Sequence, residues 1–136
     1  MTSPADSFVT RASLAADLAA LGLAPGDAVM VHASVSKVGR LLDGPDTIIA
    51  ALSDAVGPKG TVLAYADWEA RYEDLVDEDG RVPQEWREHI TPFDPRRSRA
   101  IRENGVLPEF LRTTPGALRS GNPGASIVAL GAKAEW

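Results

Sequence analysis

A histidine and two serines follow a short apolar run near the start of the chain. The run Ala28-Val29-Met30-Val31 ends at His32, and the loop after it contains Ser34 and Ser36. Hydroxyls and backbone amides at the end of a buried strand can hold an amide-rich or phosphorylated ligand. A catalytic Ser–His pair would need a third group to orient it, and the spacing suggests none. A simple loop with a hydrogen-bonded histidine is the alternative that the pattern leaves open.

A second polar segment precedes the last apolar run of the chain. Arg119 and Ser120 are followed by Asn122-Pro123 and by Ser126. An arginine and a serine before a strand can bind a phosphate or a carboxylate, although a turn with a surface arginine gives the same pattern. A basic cluster upstream could bind a coenzyme phosphate or form a solvated basic surface, and it consists of Arg96, Arg97, Arg99 and Arg102. It has no interleaved aromatic residues, which argues against nucleic acid as a partner.

Acidic residues are concentrated between Asp67 and Glu88. This range holds nine carboxylates and three arginines, a net charge of −6 in a chain whose total is −5. Such a segment repels nucleic acid and attracts polycations, and the alternative is a solvated acidic loop. Proline and charge predict a long irregular stretch from Glu69 to Arg99, in which the aromatic residues argue against full disorder.

Several kinds of chemistry are disfavoured by the composition. The chain has no cysteine, and therefore no disulfide, thiolate metal site or thiol nucleophile. His89 has no partner at the spacing of a metal site, and the usual glycine-rich phosphate loops are missing, so we expect no metal. No run approaches about 18 apolar residues, so no membrane span is expected. The N-terminus does not resemble a secretory signal, and a cytoplasmic location is expected.

The elements that must position these segments alternate between helix and strand. Thr10 can cap a helix to about Leu21, with Leu14, Leu18 and Leu21 on one face. Asp43-Gly44-Pro45 opens a second helix. The remaining predicted elements are strands over 28–31, 61–65 and 126–130 and a helix over 104–113 with Pro108 in its first turn. Sequential strands joined through a helix usually lie parallel, which places the polar loops at one edge of a sheet.

Taken in order, four blocks resemble a known family. They are PGDAVMVHASVSKVG, GPDTIIAALSDAVGPKGTVLAYADWE, FDP and GVLPEFLRTTPGALRSGNPGASIVALG. The sequence is similar to the aminoglycoside 3-N-acetyltransferases, which acetylate the 3-amino group of the deoxystreptamine ring. The match extends from about residue 11 to Gly131, and several blocks in the right order are more specific than any one of them.

The resemblance implies a fold, a coenzyme and two sets of site residues. It implies an α/β three-layer sandwich with a largely parallel central sheet, apparently truncated, with residues 10–136 as the N-terminal part of the domain. Residues 1–9, which lack the pattern of a secretory signal, are expected to form a flexible leader. It also implies acetyl-CoA as donor. The expected coenzyme-binding residues are His32, Ala33, Ser34, Val35, Ser36, Arg119, Ser120 and Ser126. The expected drug-facing residues are Tyr65, Asp67, Trp68, Glu69, Tyr72 and Glu73, which agrees with attraction of a polycation.

The chain departs from the family pattern at two points. Asn122 occupies a position where the family usually has histidine, and asparagine hydrogen-bonds but does not titrate near neutral pH. The family's chains are also about twice as long, and their second half carries a His-x-x-Glu element that resembles the base activating the substrate amine. The catalytic residues are therefore unknown within these 136 residues.

These observations lead to three hypotheses. The first is an aminoglycoside 3-N-acetyltransferase fragment that is inactive or very weak as an isolated chain. The second is a non-catalytic half-protein that binds aminoglycoside or coenzyme A and needs a partner. The third is pairing with a second copy or with a separate second half, because a truncated sheet leaves an open edge and exposed apolar surface.

Overall fold

A computed structural model describes residues 8–136, which form one four-stranded sheet with helices packed against it. The helices are α1 (Arg11–Ala20), α2 (Val35–Val38), α3 (Pro45–Val56), α4 (Gln84–Arg87) and α5 (Leu107–Arg112). The strands are β1 (Ala28–Met30), β2 (Thr61–Tyr65), β3 (Leu118–Arg119) and β4 (Ile127–Gly131). Short 3₁₀ helices occupy Arg71–Leu75, Arg102–Asn104 and Pro123–Ala125. The α/β class expected from the sequence is confirmed.

Helix α1 begins as the sequence predicts. The Thr10 hydroxyl accepts a hydrogen bond from the Ser13 amide at 3.1 Å, and the Ser13 hydroxyl accepts one from the Thr10 amide at 3.0 Å. This reciprocal pair satisfies two amides that a helix start leaves free. Leu14 and Leu18 pack against the core. Leu21 was wrongly predicted to share their face, because the helix ends at Ala20 and the Leu21 side chain is 84% exposed.

Helix α3 is the central helix of the molecule. Pro45 lies in its first turn, where the missing amide costs nothing. Its predicted apolar face is buried, and comprises Ile48, Ile49, Leu52 and Val56. Gly60 allows β2 to start directly beside the end of this helix, because a Cβ there would lie 2.3 Å from the Val56 Cβ. The short connection aligns α3 with the strand that follows.

The sheet has the strand order β1-β2-β4-β3 and is mixed rather than largely parallel. β1 and β2 are parallel, with Val29 opposite Val62. β4 runs antiparallel to β2, with Val62 opposite Leu130, and β3 runs antiparallel to β4. The two-residue strand β3 is the physical reason for the difference. A short turn follows β3, and the chain reverses direction before it forms β4. β4 therefore runs opposite to the direction that a helical crossover would give.

One hydrophobic core lies on one face of the sheet. α3 and α5 contribute Leu52, Leu107 and Leu111, and the sheet contributes Val62 and Val128, all within one buried cluster. Helix α1 packs on α3 from outside. The helices that contribute to this core therefore form one layer against the sheet. Of the three layers expected, residues 8–136 show two in contact, the helices and the sheet.

The predicted helix and irregular stretch near the C-terminal side are both present. Pro108 lies in the first turn of α5, as expected, and a 3₁₀ turn precedes that helix. Between residues 69 and 99 only the 3₁₀ helix Arg71–Leu75 and the one-turn α4 interrupt the irregular chain. Of the predicted leader, residues 1–7 lie outside the described residues, and Val9 pairs with Leu41. In the described part of the chain no helix is long and apolar enough to cross a membrane.

Candidate functional site

The three polar segments singled out in the sequence converge at one edge of the sheet. β1 and β2 end there, at Met30 and at Tyr65, because they are parallel, and His32 follows β1 by two residues. β4 begins at the same edge because it is antiparallel, and Ile127 lies opposite Tyr65. The turn between β3 and β4 therefore joins the two loops at this edge. The polar segments lie at one edge of the sheet as expected, although the direction of β4 differs from the predicted one.

The loop from His32 to Ser36 alternates between exposed and packed residues. Ala33 and Val35 pack against the core, whereas His32, Ser34 and Ser36 are exposed. The Ser34 and Ser36 hydroxyl oxygens lie 3.5 Å apart, and the His32 ring lies 5.4 Å from the Tyr65 ring between centroids. Helix α2, which the sequence did not predict, begins within this loop. The loop thus presents an imidazole and two hydroxyls outward from a fixed backbone.

Gly105 holds a second segment against this loop. Its φ is 84°, and a Cβ there would lie 3.2 Å from the carbonyl oxygen of Ala33. A side chain at that position would be both strained and tightly packed. The close approach places the 3₁₀ helix Arg102–Asn104, which ends the basic cluster, next to the His32 loop.

The turn from Ser120 to Ser126 is held by its own side chains. The Ser120 hydroxyl accepts the Ile127 amide at 2.9 Å, and the Asn122 side chain accepts the Gly124 amide at 3.3 Å. Ser126 is fully buried, and its hydroxyl donates to the carbonyl oxygen of Asn122. Asn122 therefore caps the 3₁₀ helix Pro123–Ala125. In this turn the side-chain oxygen of Asn122 and the hydroxyls of Ser120 and Ser126 are engaged in shaping the backbone.

Arg119 joins the turn to the acidic segment. Its guanidinium donates to the carbonyl oxygens of Ala66 at 2.6 Å, of Pro95 at 3.5 Å, and of Ser98. It also lies over the Phe93 ring, 4.9 Å from its centroid. Burial lowers the pKa of Arg119 and the neighbouring Arg112 lowers it further, whereas Glu109 and Asp67 oppose this. An arginine remains charged under such conditions, so these contacts are charge-assisted hydrogen bonds.

An aromatic cleft of about 1020 Å³ opens beside this edge. Trp68 lines it, and the centroid of its ring lies 5.2 Å from that of Tyr72 and 5.6 Å from that of Phe93. Glu69 and Trp86 also line the cleft. The segment after β2 is held in place from two sides, because the Trp68 amide donates to Pro123 and the Glu69 amide donates to Arg99. A cleft of this size and lining suits a polar ring compound.

The predicted drug-facing residues do not all lie in this cleft. Trp68, Glu69 and Tyr72 line it. Tyr65 lies on the sheet beside His32, Glu73 is exposed, and the buried Oδ1 of Asp67 has no hydrogen-bond partner among residues 8–136. The structure thus brings three of the six together and places Tyr65 with the other group.

The charge of the cleft lining is mixed. Glu69 and Asp94 face three guanidiniums, those of Arg71, Arg97 and Arg99, and Arg71 pairs with Glu69 at 3.3 Å. The net negative field therefore arises from the exposed carboxylates of the surrounding segment 67–88 rather than from the cleft wall. No group of three histidine or carboxylate side chains in the described residues could hold a metal ion.

Glu109 and Arg112 of α5 hold two segments of the chain beside the cleft, a role that was not predicted from the sequence. The Glu109 carboxylate accepts the Ala100 amide at 2.8 Å and pairs with Arg112. Arg112 in turn donates to the carbonyl oxygen of Arg96 at 2.7 Å, and its side chain is only 8% exposed. An i,i+3 pair of opposite charge was the one available signal, but surface helices show the same spacing.

The structure defines an α/β protein with polar loops gathered at one edge of its sheet, and comparison with known proteins identifies its family. The family model of aminoglycoside 3-N-acetyltransferase matches residues 30–136. Aminoglycoside N(3)-acetyltransferase III of Pseudomonas aeruginosa is 46% identical over 129 residues, which cover 92% of this chain and 46% of the relative. Aminoglycoside N(3)-acetyltransferase VII of Streptomyces paromomycinus is 47% identical over 134 residues, covering 95% of this chain and 45% of the relative. The chain belongs to the aminoglycoside 3-N-acetyltransferase family.

Solved structures agree with this assignment. The structure of AAC-IIIb as a binary complex with CoASH has a TM-score of 0.94 and 86% identity, covering 96% of this chain and 48% of that one. AAC-VIa bound to sisomicin has a TM-score of 0.88 and 40% identity, covering 94% of this chain and 48% of that one. The chain therefore spans about half the length of the relatives it matches, as expected from the sequence.

Proposed function

We propose that this chain provides the aminoglycoside-binding cleft and one wall of the coenzyme channel of an acetyl-CoA-dependent aminoglycoside 3-N-acetyltransferase. The observation that carries the proposal is that the His32 loop and the segment leading into the Trp68–Glu69–Tyr72 cleft follow two parallel strands, which end at the same edge of the sheet. The chain that carries the loop and the cleft belongs to the aminoglycoside 3-N-acetyltransferase family. Two relatives with this fold have been solved as complexes: AAC-IIIb with CoASH and AAC-VIa with sisomicin.

The residues present are suited to a coenzyme A chain. Exposed hydroxyls of Ser34 and Ser36 and the exposed imidazole of His32 offer hydrogen bonds to amides and phosphates. Lys37 is exposed beside them and could pair with a phosphate. When bound, acetyl-CoA supplies the acetyl thioester that is transferred to the amine. The residues of this chain would fix its position relative to the cleft.

The cleft would bind and orient the drug. The rings of Trp68 and Tyr72 offer apolar faces for a sugar ring, and Glu69 offers a carboxylate to an ammonium group. The attacking amine must lose a proton, and a positioned base contributes roughly 10²–10⁴-fold to such a step. We assign that base to the half of the enzyme that this chain does not match. The isolated chain should therefore bind the drug without turning it over.

Calorimetry with gentamicin tests the binding role. We expect micromolar binding to the chain, weakened about threefold to tenfold in Glu69→Gln and in Trp68→Ala, because a carboxylate contact and a stacking face are lost. Glu135→Gln is the matched control, since it removes one exposed carboxylate near the C-terminal end of the sequence. Absence of binding, or equal weakening in the control, would contradict the proposal.

An acetyl transfer assay tests the division of roles. With acetyl-CoA and gentamicin, the isolated chain should show no turnover above the uncatalysed rate. Turnover that Glu69→Gln reduces would show that the base lies within these residues and would overturn that assignment.

A further inference from the structure

One wall of the aromatic cleft is a tight turn that is bonded to itself. The Asp94 carboxylate accepts the Arg96 amide at 2.8 Å, and the Asp94 carbonyl oxygen accepts the Ser98 amide at 2.8 Å. The Ser98 hydroxyl accepts the Asp94 amide at 2.9 Å. Residues 93–99, which include this turn, are called the turn wall below, and Arg97 is one of its side chains that line the cleft.

Two side chains of α5 hold the backbone of the turn wall. The Arg112 guanidinium donates to the carbonyl oxygen of Arg96 at 2.7 Å. The Glu109 carboxylate accepts the amide of Ala100, the residue after the turn wall, at 2.8 Å. Glu109 and Arg112, called the α5 pair below, are also bonded to each other, with Arg112 Nε 2.5 Å from Glu109 Oε1. Because the Arg112 side chain is only 8% exposed, water competes weakly for these bonds.

The turn wall is bonded in turn to the segment that carries the proposed drug-binding residues. The Glu69 amide donates to the carbonyl oxygen of Arg99 at 2.9 Å, and an antiparallel bridge pairs Trp68 with the buried Ala100. The backbone that the α5 pair holds is therefore the same stretch of backbone to which Trp68 and Glu69 are attached.

An ordinary surface ion pair does not account for this arrangement. Exposed pairs three residues apart on a helix contribute a few tenths of a kcal/mol and need no partner outside the helix. Here each member also bonds to the main chain of another segment, at Ala100 and at Arg96. We propose that Glu109 and Arg112 are positioning residues of the cleft, which fix the turn wall and, through it, Glu69. They are not catalytic residues, because neither lines the cleft. The inference rests on the proposed function for the identity of the ligand.

Amide hydrogen exchange in the absence of ligand tests the positioning directly. In Arg112→Ala, the turn wall loses a donor and Glu109 loses its ion-pair partner. We expect the amides of Ala100 and Glu69 to exchange at least about tenfold faster than in the parent chain. Arg112→Lys keeps the charge and one donor group, and should give an intermediate rate. The amides of β2 report global unfolding in the same samples and should change much less.

Calorimetry with gentamicin tests the consequence for binding. We expect Arg112→Ala to bind about fivefold more weakly, with Arg112→Lys intermediate, because a mobile wall must be ordered when the ligand binds. Loss of a positive charge alone would favour a polycation, so the expected change is opposite in sign to the charge effect.

Two controls accompany this measurement. Arg102→Ala removes an exposed arginine that does not line the cleft, and should bind no more weakly than the parent chain. Asp54→Asn breaks a contact between α1 and α3 outside the cleft. It should keep the parent affinity, which separates the positioning of the cleft from a general loss of stability.

Either measurement can overturn the inference. Unchanged exchange at Ala100 and Glu69 in Arg112→Ala would show that the α5 pair does not position the cleft. Faster exchange with parent-like affinity would restrict the pair to a structural role and would overturn the inference as well. If the parent chain bound no gentamicin, the proposed function would fail, and the exchange rate of the Glu69 amide would still decide the positioning. Should Arg112→Ala not fold, Arg112→Lys carries the same comparison.

Discussion

At the residue scale, Arg119 and Ser126 hold the backbone in place at the edge of the sheet. Arg119 and Ser126 were expected to face a coenzyme, and both lie at the site edge. The terminal nitrogens of Arg119, however, donate to the carbonyl oxygens of Ala66, Pro95 and Ser98, and the Ser126 hydroxyl donates to that of Asn122. A residue type and its spacing do not specify the direction of a side chain, because that depends on segments distant in sequence. The coenzyme role of both residues stays a prediction.

Arg119 provides the first prediction. Replacing it by alanine removes charge-assisted hydrogen bonds to three carbonyl groups and the contact with Phe93. We expect the free energy of unfolding to fall by about 2–3 kcal/mol, with Arg119→Lys intermediate because an ammonium cannot reproduce the planar donor geometry. Urea unfolding without coenzyme measures this. Arg97→Ala, an exposed arginine nearby, should change stability by less than about 0.5 kcal/mol; equal effects in the two variants would show that Arg119 has no special structural role.

At the element scale, the long elements were predictable and the direction of β4 was not. α1 and α3 have capping residues and an apolar period, and β1 and β2 are short apolar runs, so each has a strong local signal. β3 has only two residues, Leu118 and Arg119, too short to give any period. Because that short strand sets the direction of β4, the largely parallel sheet was the wrong expectation. The loops nevertheless lie together as predicted, because an antiparallel β4 starts at the same edge of the sheet at which a parallel β4 would end.

The contact between α1 and α3 gives a pH-dependent prediction. Arg11 donates to both carboxylate oxygens of Asp54, at 2.5 and 2.6 Å, and this hydrogen bonding lowers the pKa of Asp54 below its ordinary 3.8. A carboxyl with a lower pKa in the folded state stabilises the fold above the unfolded-state pKa and stops doing so as the pH falls through the folded value. Asp54→Asn should therefore be less stable than the parent chain at pH 7 and equally stable at the acid end of the range.

Thermal unfolding between pH 2.5 and pH 7, spanning the ordinary carboxyl pKa, measures this difference. Asp17→Asn, an exposed carboxylate on α1, is the control and should follow the parent curve. A stability difference for Asp54→Asn that is constant across the whole range would show that the ion pair is not its source.

At the scale of the whole molecule, charge distribution was the property most directly available from sequence. The excess of negative charge lies in segment 67–88, part of which lines the aromatic cleft. The lining of the cleft itself contains both positive and negative side chains. Long-range attraction by exposed carboxylates is screened by salt, whereas a close contact such as that of Glu69 is screened less. Salt dependence can therefore separate the field of the segment from the contacts inside the cleft.

The last prediction uses this separation. Raising sodium chloride from about 0.05 M to about 0.5 M shortens the Debye length from ~14 Å to ~4 Å, and we expect gentamicin binding to weaken about tenfold. The triple variant Glu73→Gln, Glu78→Gln, Glu85→Gln removes three exposed carboxylates of the segment and should flatten this dependence. A charge-matched triple outside it, Asp17→Asn, Glu103→Gln, Glu135→Gln, should keep the parent slope. If both triples changed the slope equally, net charge alone would be responsible, and the acidic segment would have no special part in recognising the drug.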